Sequence, residues 1–302
     1  GLQPSTTYAY TVSAFDASGN ESAQSGAVTA VTHAPPPLHA HYIRAGAVGN
    51  NDGSDWHNAW TALPAVLVRG HTYYVADGEY PSYLFDDIES GTARIYIRKA
   101  TQQDHGTDSG WDTPYGDGQA VWNNWTIDRG YYVFDGVTGS GLNGSSYGFH
   151  LKPTICPLSG TSGENSLAFF RYDTTSDSGM EFRHIFFEGC GNTNPNVCSY
   201  GIKSNAALAE NFDSIISNNL FYGHAVNLVL YHWSNTLVEH NIFDSNWSGS
   251  VCHGEQTTFG YFSNNITYRY NIHRNSAVGG LAVHGTSGVN DVSNSNWKVY
   301  GN

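Results

Sequence analysis

The chain has 302 residues, with 13 Lys and Arg against 26 Asp and Glu, for a formal net charge of -13. That balance argues against nucleic acid as a partner, because phosphate binding needs clustered cations, and no apolar run is long enough to form a membrane-spanning helix. With 34 Gly, 20 Tyr, 8 Trp and a single Met, the composition favours short strands, turns and exposed aromatic rings over helices.

Residues 1–33 alternate apolar and polar positions through Thr7–Ala14, turn at Asp16-Ala17-Ser18-Gly19-Asn20, and alternate again from Gly26 to Thr32. Period and turn chemistry predict a β-hairpin. The wording Leu2-Gln3-Pro4-Ser5-Thr6-Thr7-Tyr8, with Gly19-Asn20 as the final turn, resembles the last two strands of a fibronectin type III domain. Two strands cannot bury a sandwich core alone, so the hairpin is expected to pack on the next domain, pair with another chain, or fray. Residues 34–39, with Pro35-Pro36-Pro37, read as a stiff linker.

The second domain spans 40–302. Asn50-Asn51-Asp52-Gly53-Ser54-Asp55-Trp56 leads into Ala59–Leu67, whose apolar spacing predicts a short amphipathic helix with Ser54 or Asp55 as N-cap. Gly70-His71-Thr72-Tyr73-Tyr74-Val75-Ala76-Asp77-Gly78-Glu79-Tyr80 reads as a strand, as do Arg94–Arg98, Tyr131–Gly136 and Phe182–Gly189. Residues 101–120 and 138–180 read as loops. This order resembles right-handed parallel β-helix proteins of the pectate-lyase-like superfamily, in which an NDGS-W loop and a helix cap the solenoid and a GTYYVADGxY-type strand opens it. The fold class is therefore all-β: a right-handed parallel β-helix preceded by a two-strand fibronectin III-like segment. The chain ends at Asn302 in what looks like the start of another coil.

Late in the chain the sequence repeats. Asn219, Asn241 and Asn271 each open an apolar strand and are followed by His232, His253 and His284 at the end of a second one. Such a period marks a solenoid. Stacked coils place equivalent residues about 4.8 Å apart, which predicts an Asn amide ladder and a column of three imidazoles. Glu255 shares a strand face with His253, and Lys203 lies near the same register one coil earlier. These residues would form an acid/base site, a metal site, or only a polar stripe. Glu239 and Arg269, each two residues before an Asn, are predicted to pair across coils.

The resemblance implies carbohydrate chemistry outside the cell. His253, Glu255, Lys203 and Arg269 are the catalytic candidates; His232, His284, Arg274 and Trp233 are the substrate contacts. In lyases of this superfamily an Arg or Lys removes the C5 proton of a uronate, and calcium is the usual cation. Asp52 and Asp55 are the weak calcium candidates. Glu255 lacks the second carboxylate an inverting hydrolase needs, so an acidic polysaccharide handled by binding or lyase chemistry leads. The rival is a structural surface or filament protein that self-associates through its hairpin or open coil. Of the four cysteines, Cys190 and Cys198 bracket a turn-rich loop that a disulfide would close, Cys156–Cys252 is the remaining pair, and four reduced buried thiols are the alternative.

Overall fold

The computed structural model describes residues 7–31, 39–156, 165–170, 178–194, 196–204, 211–250, 252, 254–260, 263–284 and 295–302. Among them the chain is strand and turn, with two short 3-10 segments at Thr113–Tyr115 and Gly144–Ser146. From residue 40 it passes repeatedly through three parallel sheets of nine, seven and seven strands. Each sheet grows by one strand per circuit, an architecture compatible with a parallel β-helix. Coils are numbered here from the circuit that begins at Thr72.

The sharpest corner, between first and second sheets, explains why the strands are so short. In coils 4 to 7 it consists of one residue in the left-handed region: His184 (φ 54°), Asn218 (φ 57°), His240 (φ 55°) and Tyr270 (φ 54°). A non-glycine residue there costs roughly 1–2 kcal/mol, and in coils 5 to 7 the Asn that follows offsets it. Asn241 Oδ1 accepts from both Asn219 N (3.0 Å) and Asn219 Nδ2 (2.9 Å). Asn271 Oδ1 does the same for Asn241, and Asn302 Oδ1 for Asn271. The remaining amide hydrogens reach Phe182 O, Ile216 O and Val238 O. The predicted amide ladder is present, and Asn219 and Asn241 are fully buried.

These corners also correct the strand reading. Phe182–Gly189 is two strands, Glu181–Arg183 in the first sheet and Ile185–Glu188 in the second, broken at His184. The 70–80 segment likewise divides into Thr72–Val75 and Gly78–Tyr80. Residues 138–180 are not only loop, since Phe149–Leu151 and Asn165–Phe170 are strands of coil 3. The predicted helix at 59–67 does not form. Trp60 instead exchanges backbone hydrogen bonds with Tyr42 and Arg44 beside the first strand, and Pro64 lacks the N–H that a helix interior requires.

In-register stacking puts like side chains above one another, so the core is built from aromatic stacks. Phe187, Phe221, Phe243 and His273 follow one another at 4.6, 5.0 and 5.0 Å between ring centroids. His273 carries a buried polar chain into the last coils. Its Nδ1–H donates to Gln256 Oε1 (2.9 Å), so its Nε2 accepts from the Tyr268 hydroxyl (2.7 Å), which in turn meets Thr257 Oγ1 at 3.1 Å. The N-terminal hairpin pairs Thr7–Tyr10 antiparallel with Val28–Val31.

Candidate functional site

The third sheet has the longest strands in the late coils: Asn165–Phe170, Ser199–Ser204, Val226–Tyr231, Glu255–Gly260 and Gly279–His284, six residues each. In coil 4, Ile202 points into the core. Strand alternation therefore turns Lys203 to the outer face, in register with Phe169 and Val229. The residue is nonetheless only 6% exposed. Its Nζ lies 4.6 Å from the Tyr200 ring centroid. Loss of hydration pushes the Lys203 amine down to about 8. Burial, reinforced by Tyr231, pushes the Tyr200 phenol up to about 12.

Tyr200 also packs on a small cluster of Cys198, Ala225, Trp247 and Cys252. The disulfides are Cys198–Cys252 and Cys156–Cys190, each with Cα atoms 5.6 Å apart. The expected Cys190–Cys198 bridge is corrected, as are the Cys156–Cys252 pairing and the free thiols. Cys190 and Cys198 occupy the same corner of coil 4, between second and third sheets. Parallel stacking instead brings the corners of different coils together, and each thiol bonds across coils.

Of the histidine column, His232 and His284 are out of register by one position. Tyr231 is in register with Gly260, and Gly260 with His284; His232 lies one position beyond, at a left-handed corner (φ 60°) and 4% exposed. His253 lies outside the described residues. The reason is the spacing of the strands: in coil 6 the second-sheet strand ends at Asp244 and the third-sheet strand opens at Glu255, against Tyr222 and Val226 in coil 5 and Arg274 and Gly279 in coil 7. Counting from the Asn anchors conceals that insertion. Glu255 opens its strand against Gly279, three residues before Thr258, which is in register with Val229 and so with Lys203. Two coils and three residues separate Glu255 from Lys203, about 14 Å on strand spacing alone, so the two do not meet.

The other candidates are dispersed. Arg269 is on the first sheet, where the predicted pair with Glu239 forms at 2.7 Å and Nη1 donates to the Tyr300 hydroxyl at 3.0 Å. Arg274 is on the second sheet, 3.7 Å from Asp244. Trp233 is fully buried in the core and presents no ring to a substrate. Asp52 Oδ1 accepts from Ser54 N (3.0 Å), Asp55 Oδ1 from Asn58 N (2.7 Å) and Asp55 Oδ2 from the Ser109 hydroxyl (3.0 Å). Those turn hydrogen bonds hold both carboxyls below their ordinary values, the Ser54 bonds for Asp52 and the Asn58 N–H for Asp55. Among the described residues no group of three His, Cys, Asp or Glu is placed to hold a metal ion.

Two imidazole–carboxylate pairs on the sheets escaped the sequence reading, beside His105 and Asp108, which meet at 2.8 Å. On the first sheet His184 Nδ1 is 2.8 Å from Asp135 Oδ1. Arg98 lies between Asp135 (4.0 Å) and Asp104 (2.9 Å). Burial opposes ionisation of Asp135, but the His184 and Val137 hydrogen bonds outweigh it and hold the carboxyl below its ordinary value. On the second sheet His150 Nε2 is 2.7 Å from Glu188 Oε2, and that bond lowers the Glu188 carboxyl. Neither pair was legible, because the partners lie 49 and 38 residues apart and meet only through coil stacking. On the third sheet, burial lowers the Lys203 amine to about 8. Comparisons with known protein families, curated proteins and solved structures return no match for this chain.

Proposed function

We propose that the protein is an extracellular right-handed β-helix of the pectate-lyase-like superfamily that binds an acidic polysaccharide along the outer face of its third sheet and cleaves it by β-elimination. One observation carries the reading: an outward lysine on the longest strands, over a tyrosine ring, with its amine near 8. An amine of that affinity is substantially neutral in mildly alkaline solution and fit to act as a general base. Lys203 Nζ takes the C5 proton of a uronate; the C5 electron pair forms the C4–C5 double bond; the C4–O bond breaks; and the departing sugar oxygen takes up a proton. His253 is retained as a proton partner, and Glu255, two coils from Lys203, only as a contact for the polysaccharide chain. Arg269 and Arg274 drop out of the chemistry because they lie on other sheets, and calcium enters no step. Substrate reaches the amine only if the material covering Lys203 parts.

The test is incubation with a panel of uronate polysaccharides, following the ultraviolet absorbance of the unsaturated product. Activity is expected to rise with pH through about 8 and to be lost in Lys203→Ala. A silent panel, or a Lys203→Ala variant as active as the parent, overturns the reading.

A structural role is the second reading, favoured by the hairpin. Tyr10, Val12, Phe15 and Val28 are 46%, 72%, 67% and 70% exposed, an apolar surface suited to strand addition by a neighbouring copy. Light scattering across concentration decides it, since a strict monomer excludes self-pairing.

A further inference from the structure

The corner between first and second sheets carries a pocket of about 230 Å³, lined in part by Gly139, Ser140, Gly141, Asn218, His240 and Tyr270. Two walls of different origin enclose it. One is the loop from coil 3, which is tied down at its base. The Tyr147 hydroxyl donates to Gly141 O at 2.9 Å, Gln119 Nε2 donates to Gly144 O (2.9 Å) and Tyr147 O (2.7 Å), and Ser146 Oγ donates to Ser140 O at 3.1 Å. Tyr147 is 2% exposed and clusters with Leu220 and Ile242 of coils 5 and 6, so the loop reaches over coils later than its own. The other wall is the row of left-handed corner residues Asn218, His240 and Tyr270, one per coil and about 4.8 Å apart. Their backbone conformation turns the side chains out of both sheets. The His240 and Tyr270 rings stack at 5.2 Å with 24° between planes, and Ile242 and Ile272 supply an apolar floor.

No Lys, Arg, Asp or Glu lines this pocket. A carboxylate or phosphate entering it would lose hydration with His240 as the one lining side chain able to offer a positive charge. Aliphatic floor, aromatic ring edges, one side-chain amide and the backbone of a glycine loop instead suit a ring with an apolar C–H face and a hydroxyl edge. The volume falls below the roughly 300 Å³ at which pockets for drug-sized ligands begin, so it has room for one ring rather than a chain. We propose that this corner is a binding site for a single neutral pyranose, Ile242 and Ile272 meeting its C–H face, the edge of the Tyr270 ring its rim, and Asn218 with the Gly139–Gly141 backbone its hydroxyls. The site is independent of the uronate chemistry assigned to Lys203, which lies on the third sheet.

Saturation-transfer NMR and calorimetric titration with methyl glucoside, galactoside and mannoside, against methyl glucuronate, test it on the whole chain. At least one neutral glycoside is expected to bind, the glucuronate to bind at least tenfold more weakly, and Tyr270→Ala to weaken binding at least tenfold. Tyr270 also meets Tyr300 and Arg269, so Ile272→Asp, at a residue 53% exposed, provides a second variant that places a charge in the floor. It is expected to abolish neutral-sugar binding with the melting temperature unchanged. Lys203→Ala is expected to leave that binding intact, so a failed lyase assay and a failed corner site give different results. Absence of binding by every neutral glycoside, equal binding of the glucuronate, or unchanged affinity in both corner variants overturns the proposal.

Discussion

Some side chains titrate abnormally because a stacked core leaves them little water. His224 is the extreme case: it is fully buried, its Nε2–H donates to Phe187 O at 3.2 Å, and burial pushes it down to about 4. His273, in the core stack, is also pushed to about 4 by desolvation. The unfolded chain protonates both near about 6.5, so between that value and about 4 the unfolded state binds more protons. Stability is therefore whole above pH ~6.5 and is lost as pH falls through the window. For His224 the loss is on the order of 3 kcal/mol. Urea unfolding across this range should show the decline, and His224→Gln should flatten it. The same reasoning, with the same sign, applies to Lys203 in a higher window. Its folded affinity lies below the unfolded value of about 10.4, so stability gains as pH rises from about 8 towards that value.

Among elements, the Asn corner is where sequence and structure agree most closely. Asn219, Asn241 and Asn271 were legible because the amide must recur at one position per coil to bond its neighbour, and Glu239–Arg269 because it inherits that register. Asn241→Ala removes two donated and two accepted hydrogen bonds at a fully buried site. Unpaired buried groups cost about 1–3 kcal/mol each, so a loss of about 3 kcal/mol or more is expected in chemical denaturation, with Asn219 and Asn271 amides exchanging faster. The histidine register failed for a physical reason of equal clarity. The corner between second and third sheets tolerates insertions, since loop closure cost grows slowly with length. Spacing from an Asn therefore predicts the second-sheet strand, where Ile242 and Ile272 align with Leu220, but not the third. Lys203 was named for its neighbourhood with the histidines, whereas what distinguishes it, the ring of Tyr200 and its burial, is tertiary. The disulfide partners were illegible for the same reason: they are neighbours only after the coils stack.

At the scale of the whole molecule, each coil touches mainly the coil before and the coil after, so stability is close to a sum of neighbour terms. The bridges break that rule. Cys156–Cys190 joins coil 3 to coil 4, and Cys198–Cys252 joins coil 4 to coil 6, passing over coil 5. Replacing Cys198 and Cys252 by Ser is expected to cost about 2–4 kcal/mol, read as a lower melting temperature, with exchange protection in coil 5 falling most. Considered as a load-bearing rod rather than a folded domain, the molecule has a covalent spine from coil 3 to coil 6. A pull along the stack axis would peel the flanking coils by breaking their hydrogen-bonded rows, while the spine stays whole. Coil 4, where both bridges meet and Lys203 sits, is the last part of the rod that tension would reach.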